Sequence, residues 1–135
     1  MSQLEPLELV EVVIEEIGVP ADDGSPGSAL YLVPIRLNRK PSPEETPWIL
    51  SVWDHPPSFS NMHRPGILRV RGDVLLLDGT TIEEVERYHV PTLKGVLTEV
   101  NARAATLAVQ QAQVAADEVE QRAHLAEVAR RIDLS

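Results

Sequence analysis

The side chains best suited to chemistry lie in one stretch, residues 54–66, which reads Asp-His-Pro-Pro-Ser-Phe-Ser-Asn-Met-His-Arg-Pro-Gly. Both tryptophans (Trp48, Trp53), the single phenylalanine (Phe59) and two of the four histidines (His55, His63) fall between positions 48 and 63. Long irregular connections are uncommon inside compact domains and carry function more often than average. The chemistry these residue types suit best is anion binding. His63, Arg64 and Arg69, with donors from Ser58, Ser60 and Asn61 and with His55 alongside, make a candidate pocket for a carboxylate or phosphate. Such a pocket binds without catalysing.

Other chemistries have weaker support. Ser58 or Ser60 with His55 or His63 and Asp54 satisfies the residue types of a hydrolase, but no Gly-x-Ser-x-Gly elbow presents a nucleophile. A metal centre needs three or four converging ligands. Asp54, His55 and His63, joined by His89 or Asp73, supply the types, yet no His-x3-His or His-Glu-x-x-His pair sets two of them on one helix face, so no metal is expected. Gly24 and Gly27 precede a strand rather than a helix, so they do not form a phosphate cradle, and no nucleotide or other cofactor is expected. His89 reads as a helix-end histidine and His124 as part of a solvated face. A purely structural role competes with all of these: Phe59, Met62 and the tryptophans plug one end of the core while the prolines stiffen the connection.

Composition narrows the classes. There is no cysteine, which excludes disulfides and thiolate metal sites. With 43% hydrophobic but only 4% aromatic residues, the core must be largely aliphatic. Residues 1–6 show no basic region followed by an apolar stretch, and no run nears the roughly 18 apolar residues of a membrane span. The expectation is a cytoplasmic protein without a membrane segment, and ten arginines against two lysines fit a GC-rich bacterial genome. The net charge of −9 divides into −7 over residues 1–35, +3 over 36–71 and −5 over 72–135. Only the middle is mildly basic, too little to neutralise a phosphate backbone, so general nucleic-acid binding is excluded.

The elements that must position these residues follow from pattern. Residues 7–17 combine helical spacing of Glu8, Glu11 and Glu15 with the β-branched run Val10, Val12, Val13, Ile14, and the latter favours a strand. Residues 18–28 are a loop and 29–37 a strand, with Pro34 pointing to an edge or a bulge. Ser42-Pro43-Glu44-Glu45 is a helix start with a capping box, Trp48, Ile49, Val52 and Trp53 give its apolar face, and Pro47 argues for the alternative start at Thr46. Residues 67–71 and 74–77 flank Gly72-Asp73 as a type II′ hairpin, pairing Arg71 with Val74, Val70 with Leu75, Arg69 with Leu76 and Leu68 with Leu77. Thr81 and Glu84 form a second capping box, and Pro91 and Gly95 predict a kink or short break within 88–95.

Beyond Gly95 the chain has neither glycine nor proline, and a ladder with alternating spacings of four and three runs through it. Leu93, Leu97, Val100, Ala104, Leu107, Gln111, Val114, Glu118, Gln121, Leu125, Val128 and Ile132 occupy it, nine of the twelve apolar. This is the pattern of one long helix seeking a partner surface. The predicted architecture is α+β: a small antiparallel sheet in the order β-β-α-β-β-α, helices on one face, and a long C-terminal helical extension. The domain boundary is placed after residue 101, with 102–135 as a coiled-coil or partner-docking segment. The functional expectation is a non-enzymatic interaction or assembly protein, a homo-oligomer or the binder of a protein partner. Leu93, Leu97, Val100, Leu107, Val114, Leu125, Val128 and Ile132 are its expected contact residues, and the 54–66 loop is a second contact surface. The alternative is an anion-binding protein or enzyme using that loop.

Overall fold

Alternation of aliphatic residues in the hairpin sets the register of the sheet. In a computed structural model of the chain, which describes residues 5–135, β3 (Leu68–Arg71) and β4 (Val74–Thr80) pair in the register expected from their two-residue turn. Gly72 takes φ +61° while Asp73 stays at negative φ, the combination that defines a type II′ turn. Two further strands, β1 (Leu9–Val12) and β2 (Tyr31–Leu37), complete a four-stranded antiparallel sheet of order β1-β2-β4-β3. Residues 1–4, where the stretch without a leader pattern begins, lie outside the described residues.

Two sequence expectations change here. The 7–17 segment is a strand only over Leu9–Val12, and then closes into a 3-10 turn, Ile14–Glu16. Pro34 lies on β2, an interior strand, rather than at an edge, and the strand's register shift falls at Tyr31–Leu32, two residues before it. The turn explains how the proline is accommodated. Pro34 accepts from the Val13 N–H (3.0 Å), so its nitrogen also faces the end of β1. The Val13 carbonyl that a donor there would have met is taken by the Glu16 N–H (3.0 Å). No backbone group is left unpaired by the missing donor.

Helix α1 (Glu45–Asp54) begins with the reciprocal pair read from the sequence: Glu45 N–H donates to Ser42 Oγ (3.1 Å) and Ser42 N–H to Glu45 Oε1 (2.8 Å). Thr46 N–H closes the first helical bond on the Ser42 carbonyl (3.1 Å), so Pro47 lies just past the first turn and removes the bond that would follow. Glu45 is only 1% exposed, and Arg39 meets its carboxylate with two bonds of 2.7 and 2.8 Å. Burial works to raise the Glu45 carboxyl, but the bonds from Arg39 and Ser42 outweigh it and hold the group below its ordinary value.

The second helical run is α2 (Ile82–Glu84), a π-turn (Val85–His89) and α3 (Val90–Arg131). The irregularity thus sits ahead of Pro91, overlapping the expected 88–95 stretch only at Tyr88 and His89, and Gly95 is passed without interruption. A proline inside a helix lacks a donor and crowds the carbonyl four residues back. The wider turn, closed by Val90 N–H on Val85 C=O, relieves that crowding before the proline is reached.

The chain divides into two compact units within α3: Glu5–Ala102, and one that takes in Arg103–Ser135. In the first, one core cluster joins Val33, Ile35, Leu37, Leu68, Leu75 and Leu77 of the sheet to Ile49, Val52 and Trp53 of α1 and Leu93, Val96, Leu97 and Val100 of α3. The fold is α+β, with both helices on one face of an antiparallel sheet. Asn101 closes the unit: its side-chain amide accepts from Leu7 N–H (2.8 Å) and donates to Leu7 C=O (3.1 Å). In the second unit α3 continues to Arg131, with Gln113 and Asp117 bonded one turn apart (2.9 Å).

Candidate functional site

The 54–66 connection is tied at both ends. Asp54 Oδ1 accepts from Gly66 N–H (2.8 Å), and Trp53 Nε1 donates to the Arg64 carbonyl (3.0 Å). His63 folds back onto Trp53, with ring centroids 4.4 Å apart and its Nε2 2.7 Å from the Trp53 carbonyl oxygen. Arg64 grips Glu84 through Nε (3.2 Å) and Nη2 (2.8 Å), and Thr80 Oγ1 adds a third bond to that carboxylate (2.9 Å). These bonds from Arg64, above all, keep Glu84 below its ordinary value, and the same contact raises Arg64. The second capping box is therefore half formed: Thr81 Oγ1 accepts from Glu84 N–H (3.2 Å), but the Glu84 carboxylate turns to Arg64 instead.

Beneath this clip lies His89, on the π-turn and wholly buried rather than capping a helix end. Its ring stands edge-on to Trp53 at 5.6 Å, and neither nitrogen finds a hydrogen-bond partner. Glu84 Oε2 is 3.8 Å from Nε2. Burial pushes this imidazole below its ordinary value, with His63 and Arg64 adding to the effect and Glu84 opposing it.

The candidate anion residues are not gathered around one point. Arg64 is neutralised by Glu84, and His63 commits Nε2 to the Trp53 carbonyl while its buried Nδ1 has no hydrogen-bond partner. Arg69 projects from the solvent face of β3, opposite Leu76. His55 ends α1 with its N–H shared by the Ser51 and Val52 carbonyls, and Asn61 is exposed in the loop. Ser58 and Ser60 do come together with Phe59, Arg87, Tyr88 and Thr92 around a cleft of about 220 Å³, small beside the roughly 300–1,000 Å³ of ligand sites. Among the described residues no hydrogen bond joins Ser58 or Ser60 to an imidazole, and no three His, Asp or Glu side chains converge as a metal site needs.

The expected contact residues separate into two sets. Leu93, Leu97 and Val100 belong to the core and are closed to any partner, because the sheet already occupies that side of α3. Beyond Asn101 the same ladder is uncovered: Val114 is 61% exposed, Leu125 58% and Ile132 57%, with Leu107 and Val128 partly exposed. Among the described residues no helix is long and apolar enough to cross a membrane. Trp53, Glu84 and Asn101 hold the compact unit together through partners that lie 11, 20 and 94 positions away, Arg64 for the first two and Leu7 for the third. The aromatic concentration signals Trp53, and the spacing from Thr81 signals Glu84 only as a cap. No protein-family model, curated protein or solved structure matches this chain.

Proposed function

We propose that this is a non-enzymatic assembly protein whose C-terminal helix associates with the same helix of a second copy. The observation that carries the reading is the uncovered part of the α3 ladder, where Val114 and Leu125 stay more than half exposed in a regular helix and Ile132 does so directly after its end. Five aliphatic side chains recur on one stripe between positions 107 and 132, a span of roughly 39 Å at 1.5 Å per residue. An isolated helix gains little from propensity alone, and most helical stability comes from packing an apolar face. The 54–66 loop supports the rival reading less well, since its main cation is already paired with Glu84.

Light scattering after size exclusion tests this on the full chain. The unmutated protein is expected to run as an oligomer, and Val114→Glu to shift it to a monomer with unchanged tryptophan emission, since both indoles lie in α1. A monomeric unmutated protein at micromolar concentration overturns the proposal.

A further inference from the structure

The ladder has a symmetry that fixes how two such helices meet. Beyond Ala104 it comprises Leu107, Gln111, Val114, Glu118, Gln121, Leu125 and Val128 on one stripe of α3, with Ile132 directly after the helix's last residue, Arg131. If two copies run parallel and in register, each position faces itself, and Glu118 meets Glu118 inside the seam. Like charges at a desolvated position repel, and burying a carboxylate without a partner is costly. Run antiparallel about the midpoint between Val119 and Glu120, the same eight positions pair completely. Leu107 then faces Ile132, Val114 faces Leu125, Gln111 faces Val128, and Glu118 faces Gln121, whose amide donates to a carboxylate.

The flanks agree with this arrangement in part. Antiparallel pairing sets Asp117 beside His124 and Gln110 beside Arg131, both compatible. Parallel pairing instead offers Asp117 to Arg122, a solvent-exposed ion pair that contributes little. A seam position outweighs a rim pair, so orientation is decided by Glu118. Other antiparallel registers leave part of the ladder unpaired or set Glu118 against valine.

We infer that two copies of this chain join through an antiparallel coiled coil of their C-terminal helices, with Glu118 of each opposite Gln121 of the other. This rests on the self-association proposed above. The absence of cysteine makes it directly testable. Val114→Cys and Leu125→Cys are placed singly in the full chain, at positions exposed enough to tolerate the change. Each variant, and an equimolar mixture of the two after exchange, is oxidised mildly and run on a non-reducing gel.

A disulfide needs α-carbons within about 7 Å, whereas positions 114 and 125 are roughly 16 Å apart along a helix axis. The expected result is a cross-linked dimer in the mixture, approaching the half of chains that mixing makes heterodimeric, and almost none in either variant alone. Cross-linking of each variant by itself overturns the antiparallel orientation while leaving self-association standing. A dimer by light scattering with no cross-link in any sample overturns the seam. A monomer throughout overturns self-association and this inference with it.

Discussion

Arg39→Ala isolates the most consequential ion pair in the compact unit. Glu45 is 1% exposed, and its carboxylate takes two bonds from Arg39 and one from Ser42 N–H. Removing the guanidinium leaves a buried charge with only the backbone donor, a change that costs about 3–5 kcal/mol when one partner of a buried pair is lost. For a domain near 100 residues each kcal/mol moves Tm by roughly 4–8 °C, so a fall of at least about 12 °C is expected. Urea titration followed by Trp48 and Trp53 emission reads this loss directly, since both indoles lie in the helix that Glu45 starts. The pH dependence gives an independent check. In the intact protein the folded Glu45 carboxyl is held low, so its contribution is present above the unfolded value of about 4.3 and disappears as pH falls through the folded one. In Arg39→Ala burial acts almost alone and raises the group, so the variant loses stability as pH rises. The gap between the two proteins is therefore widest at neutral pH and narrows towards pH 4. A loss under about 1 kcal/mol at pH 7, or a gap constant from pH 7 to 4, refutes the account.

Two smaller perturbations test other parts of the fold. His89→Leu removes a buried imidazole that has no hydrogen-bond partner, so stability at pH 7 is expected to hold or rise by about 1 kcal/mol. The folded imidazole is depressed, so the intact protein loses stability as pH falls below about 6.5; the variant loses less across pH 6.5–5, by equilibrium denaturation. Gly72→Ala forces an L side chain to φ +61° at the hairpin turn and is expected to cost about 1–2 kcal/mol by the same denaturation assay, with the sheet register unchanged.

What the sequence makes legible depends on how local the cause is. The hairpin is settled by a two-residue turn and the alternation around it, and the Ser42–Glu45 cap by residues three apart. Pro34 misleads because the group that compensates for it, the turn at Ile14–Glu16, lies about twenty residues earlier and has no sequence signature of its own. The loop shows the same limit more sharply. Arg64 reads as a free cation until the fold brings Glu84 beside it, and Glu84 reads as a cap until Arg64 draws it away. His89 gives no hint of burial, because the π-turn that turns it inward answers to a proline two residues later. The ladder in α3 is continuous in sequence, yet its first three positions, Leu93, Leu97 and Val100, are buried in the core. Nothing in the spacing marks where the core stops; Asn101 does, by bonding to Leu7.

That last contact places the two ends of the compact unit side by side. Leu7 and Asn101 are 94 positions apart, yet one side-chain amide spans both polar groups of the Leu7 backbone, as a neighbouring strand would. A chain with adjoining ends suits circular permutation. Residue 5 can be spliced to residue 102 by a short linker and new termini opened at the Gly72-Asp73 turn, without crossing the core. The same adjacency lets the unit be inserted whole into a surface loop of another protein, entering and leaving at nearly one point.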